Sequence, residues 1–540
     1  MVVLRGTIKD QLKDFGVDSI DIISKSAVIF GYTVEKSGEE IKIEFNPDRI
    51  DLCSMDSLMA TLRTFWNHGR EKDNLKFSER GMITVDREAA MLRPFTGIIV
   101  AEGKEIGSGL DRIISFQEKI HDTVGKDRVQ VSIGIHDLEK ITLPLRMVSR
   151  ETLQTTITTY DGMESSLHDV FKNHDKGKQY AHLIPSRTLA PVILDNSDDI
   201  MSAPPVINGV KSKVEATTRK FIVDFTGPGI VQVKGAIFLM ARAFQSMGYA
   251  VTVYPIKGSE GVVSVEQYHN RKIVVRETSV KKGIGIAINL KEIRMCLEKM
   301  GYSAREVPDG MEVLVPGYRI DVMGEIDVIE DIMKAYGIDN VPEVPLHIPR
   351  SGMQDQFRDF QQLCRVVMAG AGFLEVMSFV VTSERFLAGM KYTGDVTVLN
   401  PKSLDNSVVR DRIYPNMLEM LRINKRRSLP QSIFEIGDII TGGKQECHMC
   451  VVIEDSRADL SSIKRMMDYF LSRIVGSGGL IVESKVDGTI PGRGGTIRCM
   501  EKEIGVIGEI HPEFLERFEL QNPVSMMELN LDAIHSIAGT

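Results

Sequence analysis

The chain has 540 residues, of which 43% are hydrophobic and 26% charged, and its formal net charge is −8. That length is too great for one hydrophobic core and implies several domains. The ordinary composition excludes a disordered or fibrous chain, and the acidic balance excludes a generally basic coat for nucleic acid, though not a local basic groove.

Residues 42–66, KIEFNPDRIDLCSMDSLMATLRTFW, predict a strand, a turn and an amphipathic helix. Ser54 is the expected N-cap, and Met55, Leu58, Met59 and Leu62 follow at helical spacing. The polar stretch 67–85 reads as a linker. TGIIVA (96–101), VQVSIGI (129–135) and KFIVDFT (220–226) are rich in branched residues and predict strands of one sheet domain spanning 90–262. Strand alternation in the last of these sends Phe221, Val223 and Phe225 one way and Ile222, Asp224 and Thr226 the other. VKKGIGI (280–286) is a lone glycine pattern with no P-loop lysine in place, so no nucleotide site is expected there.

In NLKEIRMCLEKMG (289–301), Asn289 and Glu292 stand at capping-box spacing, Leu290, Ile293, Leu297 and Met300 share a face, and Gly301 ends the helix. MEVLVP then reads as a strand. PEVPLHIPRSG (342–352) is rich in proline and predicts a domain boundary. Beyond it helices alternate with strands such as EVMSFVV (375–381), SIFEIGDII (432–440) and HMCVVIE (448–454). Strands and helices mix throughout, which makes the class α+β or α/β in several pieces. The six cysteines are sparse; CHMC (447–450) is a lone CxxC without the second pair that zinc would need, and reads as a strand with small buried thiols. No secretory segment opens the chain and no apolar run approaches the roughly 18 residues of a membrane span, so a reducing cytoplasm is the expected compartment. Arg422, Lys425, Arg426 and Arg427 form a basic patch that suits either phosphate contact or a solvated helix end.

Between the strand and the boundary, YRIDVMGEIDVIEDIMKAYG (318–337) gathers Asp321, Glu325, Asp327, Glu330 and Asp331. On a helix from Asp327 to Tyr336, Ile329, Ile332, Met333 and Tyr336 form the expected buried stripe, leaving Asp327, Glu330 and Asp331 to share the other side. Three readings compete: acids favoured by the dipole at a helix start, a solvated face with a Glu330–Lys334 pair, and a hard-cation site for Mg²⁺. Local sequence does not choose among them.

The wider stretch VPGYRIDVMGEIDVIEDIMKAYGIDNVP (315–342) closely resembles a signature of the beta subunit of phenylalanyl-tRNA synthetase. Pro316, Arg319, Asp321, Asp327, Glu330, Asp331, Tyr336, Gly337, Asp339, Asn340 and Pro342 match it, with Asp331 where some relatives have glutamate. FNPDRIDLCSMDSLMATLRTF (45–65) resembles the family's amino-terminal element, with Ile50 in place of proline. SIGIHDLEKI (132–141), HDKGKQYAHL (174–183), IMSAPPVIN (200–208) and FIVDFTG (221–227) resemble its editing module in the archaeal and eukaryotic cytosolic form. VLNPKSLDNSVVRDRIYPNMLEML (398–421), IFEIGDII (433–440) and GVIGEIHPEF (505–514) resemble its carboxy-terminal module.

The resemblance implies an α+β multidomain fold: an amino-terminal α/β domain (1–85), a β-rich tRNA-editing domain (90–262), a winged-helix-like domain with the acidic helix (270–345), and a degenerate class II synthetase-like module on an antiparallel sheet (350–540). Since the chain ends soon after GEIHPEF, no carboxy-terminal anticodon-binding domain is expected. It implies an alpha subunit as partner in a two-alpha, two-beta tetramer that attaches L-phenylalanine to tRNA(Phe) with ATP, the synthesis site lying on the alpha chain. A working site needs arginines on the substrate phosphates, whereas Phe434-Glu435-Ile436-Gly437 has none and Arg493 in PGRGG is expected to be structural. The resemblance further implies Mg²⁺ at Asp321, Asp327, Glu330 and Asp331, and hydrolytic editing of Tyr-tRNA(Phe) with Asp224, Ser202 and Asn208 at the pocket. A free-standing tRNA deacylase and a non-catalytic tRNA-binding scaffold are the alternatives.

Overall fold

In the computed structural model, which describes residues 2–7, 20–37, 40–46, 48–66, 74–258, 261–345 and 351–539, the strands expected at 96–101 and 220–226 are neighbours. The chain runs through β1 (Phe95–Glu102), α1 (Gly109–Asp122), β2 (Ser132–Asp137), β3 (Ile200–Ala203), β4 (Lys220–Gly227) and α2 (Ile230–Ser246). β4 is central, antiparallel to β1 over eight residue pairs and to β2 over six. Its two faces do different things. Phe221, Val223 and Phe225 join a large core with α2, which is buried almost all round from Val233 to Phe244; Gly97 lets α2 approach, since a Cβ there would meet Ile237 Cδ1 at 2.5 Å. Ile222 faces a smaller cluster with Ile98 of β1 and with Leu145, Met147, Ile193 and Met201 of a second sheet. That five-stranded sheet is ordered 207–208, β3, 189–194, 145–151, 83–85. Asp224 therefore lies on the β4 face that meets the second sheet.

Around these sheets lie a three-stranded amino-terminal sheet (Val2–Thr7, Tyr32–Ser37, Glu40–Phe45) with the helix Met55–Phe65, and a three-stranded sheet of Arg271–Arg276, Ser303–Val307 and Gly310–Val315. The latter carries α3 (Leu290–Lys299) and α4 (Glu325–Tyr336). The capping box of α3 forms as its spacing requires: Asn289 Oδ1 accepts from Glu292 N at 3.0 Å and Glu292 Oε2 from Asn289 N at 3.1 Å. All this belongs to one compact unit, Met1–Pro345; Leu346–Thr540 is a second.

The second unit is built on a seven-stranded sheet ordered 374–375, β5 (Gln431–Thr441), β6 (Lys444–Glu454), β9 (Val524–Asn530), β8 (Lys502–Ile510), β7 (Thr489–Cys499) and 480–483. One face packs on α5 (Gln356–Gly370), α7 (Leu460–Ile474) and α8 (Leu531–Ala538). The other packs on α6 (Tyr414–Ile423).

Three expectations need correction. Of the presumed linker, 67–73 lies outside the described residues, but Lys76–Phe77 and Ile83–Val85 are strands of the two central sheets. The strand expected at 129–135 starts at Ser132, because Lys126, Asp127 and Arg128 turn with φ of 46°, 55° and 64°. EVMSFVV is mostly not strand: only 374–375 and 381–382 pair, and Met377 and Phe379 stand exposed. Of the proline-rich boundary, 346–350 lies outside the described residues.

Candidate functional site

Asp224, Ser202 and Asn208 line one cavity of about 470 Å³ between β2, β4 and the loop that follows β3. Ser202 and Asn208 are cross-strand partners, so their side chains share a face. The Ser202 hydroxyl is buried and has no hydrogen-bond partner among the described residues. Asp224 is 2% exposed and accepts from His136 Nε2 at 2.9 Å through Oδ2. Tyr160 closes another side, its phenol on Ile135 O at 3.3 Å; burial pushes that phenol up to about 12, opposed by a hydrogen bond with Asn208.

Arg128 fastens the proline loop. Its Nη1 donates to Pro205 O at 3.1 Å and Val206 O at 3.3 Å, its Nη2 to Glu118 Oε1 at 3.2 Å, and its guanidinium lies 4.3 Å from the Tyr180 ring centre. Three successive residues with left-handed backbone, ending at Arg128, put strain beside the cavity. Burial would raise the Glu118 carboxyl, but His121 and Arg128 outweigh it and hold that group at about 2. The wall thus offers an unpaired hydroxyl, an amide, a buried carboxylate and a clamped loop: groups suited to a small polar ligand and a positioned water. His136, Tyr160 and Arg128 were missed by sequence reasoning. Alternation from Ser132 puts His136 and Gly134 on one face of β2, a signal that was available for His136; nothing local marks Arg128.

The acidic run is arranged differently from its helical projection. Asp331 is 2% exposed and faces inward with Val328, Ile332 and Ala335, not outward with Asp327 and Glu330, while Met333 and Tyr336 are only half-buried. Arg319 explains it: its guanidinium lies 2.7 Å from Asp331 Oδ2 and 2.7 Å from Asp321 Oδ2, and the Tyr302 hydroxyl also donates to Asp331. Asp327 Oδ2 accepts from the amides of Met323 and Gly324, both at 2.8 Å, as a helix-start cap. Glu330 is exposed and pairs with Lys334 at 2.9 Å. Arg319 thus brings Asp321 and Asp331 together, while Asp327 and Glu330 have other partners. Among the described residues no group of three or more His, Cys, Asp or Glu is gathered for a metal, and in this arrangement the four carboxylates do not fit Mg²⁺ as one ligand set.

Residues 273–338 match the model of the tRNA synthetase B5 domain, and 341–531 that of the phenylalanyl tRNA synthetase beta chain CLM domain. The chain is 40% identical to the phenylalanine–tRNA ligase beta subunit of Thermoplasma volcanium, over 99% of both chains, and 41% identical to that of Thermoplasma acidophilum, over 99% of this chain and 98% of the relative. The chain belongs to the family of phenylalanine–tRNA ligase beta subunits. The Archaeoglobus fulgidus beta subunit is 31% identical over 96% of each chain. A crystallised amino-terminal fragment of the Pyrococcus horikoshii beta subunit shares the fold, with a TM-score of 0.57 and 24% identity over 62% of this chain and 99% of the fragment.

This beta subunit is a mixed α+β multidomain chain, one subunit of a ligase, and among the described residues no helix is long and apolar enough to cross a membrane. In its CLM domain, Phe434-Glu435-Ile436-Gly437 lies on β5, and an arginine does reach it, from elsewhere. Arg410 is fully buried; its Nη1 lies 2.7 Å from Glu435 Oε1 and its Nε donates to Asp438 O at 2.9 Å. Its charge is neutralised there. Arg493 is exposed and pairs with Glu509 at 2.8 Å. A second cavity of about 380 Å³ contains Glu446, His448, Glu528 and Arg412. Glu528 accepts from the amides of Ile413 and Tyr414 and lies 3.0 Å from His448 Nδ1. Burial would lower the His448 ring, but Glu528 and Glu446 outweigh it and raise it.

The remaining motifs have structural roles. Cys447 and Cys450 point to opposite faces of β6, as residues three apart on a strand must, and cannot share a metal. VKKGIGI ends a helix at Ile284, with Gly285 at φ 88°. In the basic patch, Arg422 pairs with Glu419 at 2.6 Å and Lys425 with Glu519, while Arg426 and Arg427 are exposed.

Proposed function

We propose that this chain serves in the cytoplasm as the beta half of a two-alpha, two-beta ligase that attaches L-phenylalanine to tRNA(Phe), with ATP and phenylalanine bound by the alpha subunit, and that its own chemistry is hydrolysis of mischarged Tyr-tRNA(Phe). The observation that carries the editing reading is the convergence of Asp224, Ser202 and Asn208 on one cavity with polar valence to spare. An apolar synthetic pocket rejects an added hydroxyl by only about 10²-fold, so a second, hydrolytic site is physically warranted. In this reading Asp224 orients the water that attacks the ester carbonyl, and the products are tyrosine and tRNA. Deacylation of Tyr-tRNA(Phe) by the assembled ligase should fall at least about tenfold in Asp224→Asn; an unchanged rate would reject the site.

The partition that goes with it has an editing domain across the two central sheets, a winged-helix-like domain around α3 and α4, and a degenerate class II module in the second unit. Neutralisation of Arg410 by Glu435 supports the absence of synthesis in this chain, so the purified beta chain alone should give no ATP–pyrophosphate exchange. Exposed Leu374, Met377, Phe379, Leu399 and Leu404 support a large partner such as the alpha subunit. Mg²⁺ at Asp321, Asp327, Glu330 and Asp331 requires Arg319 to release two of them. Calorimetric titration of the assembled ligase with Mg²⁺, with and without the double change Asp327→Asn and Glu330→Gln, tests it: equal heats would remove the ion from these residues.

A further inference from the structure

Two fully buried polar side chains behind Asp224 have no part in the cavity wall. Ser212 Oγ lies 2.7 Å from His136 Nδ1, and His136 Nε2 lies 2.9 Å from Asp224 Oδ2. A carboxylate can only accept, so Nε2 carries a proton; in a neutral ring Nδ1 then accepts from the Ser212 hydroxyl, whose other neighbour, Gly209 O, is 3.5 Å away. The line needs Gly134 beside it, since a Cβ there would meet Asp224 Oδ2 at 2.2 Å and His136 Nε2 at 2.7 Å. Asp224 Oδ1 makes no hydrogen bond to a described residue, which leaves it for whatever enters the cavity.

We propose that Ser212 and His136 form a positioning relay: the Ser212 hydroxyl fixes the His136 tautomer, and His136 Nε2–H holds one oxygen of Asp224 so that the other faces the cavity as a fixed acceptor. The inference rests on the cavity being a deacylation site, and it adds the residues that set the orientation of its carboxylate. A donor fixed at this place leaves the other oxygen of Asp224 free to accept from a water or an ammonium group.

The test is single-turnover and steady-state deacylation of Tyr-tRNA(Phe) by the assembled ligase. His136→Leu keeps the bulk and removes the donor; kcat should fall about tenfold or more with KM within about twofold. His136→Gln returns an N–H donor to the Nε2 place and should recover most of that loss, with Ser212→Ala lying between. A purely packing role would let Leu replace His136 better than Gln does. If Asp224→Asn abolishes deacylation while His136→Leu leaves kcat unchanged, the relay is wrong and the site stands; if Asp224→Asn has no effect, both fall. Should His136→Leu fail to fold, ¹⁵N ring shifts of His136 in the unmutated ligase decide: an Nε2–H tautomer is expected, and an Nδ1–H tautomer or an imidazolium near neutral pH overturns the relay.

Discussion

Replacing Arg319 with leucine separates an acidic helix start from a buried charge network. Arg319 donates to Asp321 through Nε at 2.9 and 3.2 Å and through Nη2 at 2.7 Å, and Nη2 also lies 2.7 Å from Asp331. The side chains of Arg319 and Asp331 are both 3% exposed and that of Asp321 18%. Leucine fills the stem but leaves two carboxylates facing each other. Removing one partner of a buried pair costs about 3–5 kcal/mol; Tyr302 still donates to Asp331 and Asp321 retains some solvent, so the lower half, about 3–4 kcal/mol, is expected. Urea unfolding of the full chain, read by hydrogen exchange in α4, measures it. The pH dependence has a fixed sign. Burial would raise Asp321, but Arg319 outweighs it and holds the carboxyl below its ordinary value. Stability from a depressed carboxylate is present above the unfolded value near 3.9 and lost as pH falls through the folded one. The gap between parent and variant should therefore be widest at neutral pH and narrow below about pH 4. A gap under about 1 kcal/mol at pH 7, or one that widens on acidification, would refute the account.

Gly134→Ala should drive Asp224 and His136 apart and cut deacylation about 10²-fold while far-ultraviolet circular dichroism stays unchanged; full activity would mean the cavity tolerates displacement of its carboxylate. Ser202→Ala removes a buried hydroxyl that has no partner among the described residues, so thermal stability should hold or rise by up to about 1 kcal/mol, while deacylation drops. A large loss of stability would mean that the hydroxyl is already satisfied. His448→Gln tests the raised ring: its stabilisation is present below the unfolded pKa and is lost as pH rises through the folded one. The parent should therefore lose its advantage over the variant in guanidinium unfolding as pH climbs past neutral, and an advantage that grows with pH would contradict the pairing with Glu528 and Glu446.

What the sequence made legible was local. Asn289 and Glu292 at capping distance, the hairpin strands at 432–440 and 448–454, and the shared face of Ile222 and Asp224 all follow from rules spanning a few residues, and all form. Asp331 did not follow. A helical stripe of Val328, Asp331, Ile332 and Ala335 puts an acid on the buried side, which looks wrong until Arg319 and Tyr302 arrive from a preceding turn and another element. EVMSFVV has a strand's composition, but pairing is decided by a neighbour in space, and its central residues have no strand partner: Ser378 bonds to the Glu435 carboxylate instead. The cavity shows both limits at once. β-alternation put Asp224 on the face opposite Phe221 and the family resemblance singled it out, whereas Arg128, the residue that clamps the proline loop, acts through carbonyls 77 and 78 residues away.

The buried polar groups around Arg410 and Glu528 and those at the Asp224 cavity are used in opposite ways, and this bears on where chemistry is done. In the second unit, Arg410 is matched by Glu435, Ser378 and the Asp438 carbonyl, and Glu528 by two amides and His448. A ligand entering there would have to break bonds that are already made, each worth about as much as what it could offer in return. At the first unit's cavity, the Ser202 hydroxyl and one oxygen of Asp224 make no bond to a described residue, and the loop beside them is held by Arg128. A ligand pairing with them does not have to break a bond within the protein, and it meets a loop that Arg128 already holds in place. The contrast between these named atoms supports the proposed division, with correction in this chain and synthesis in its partner.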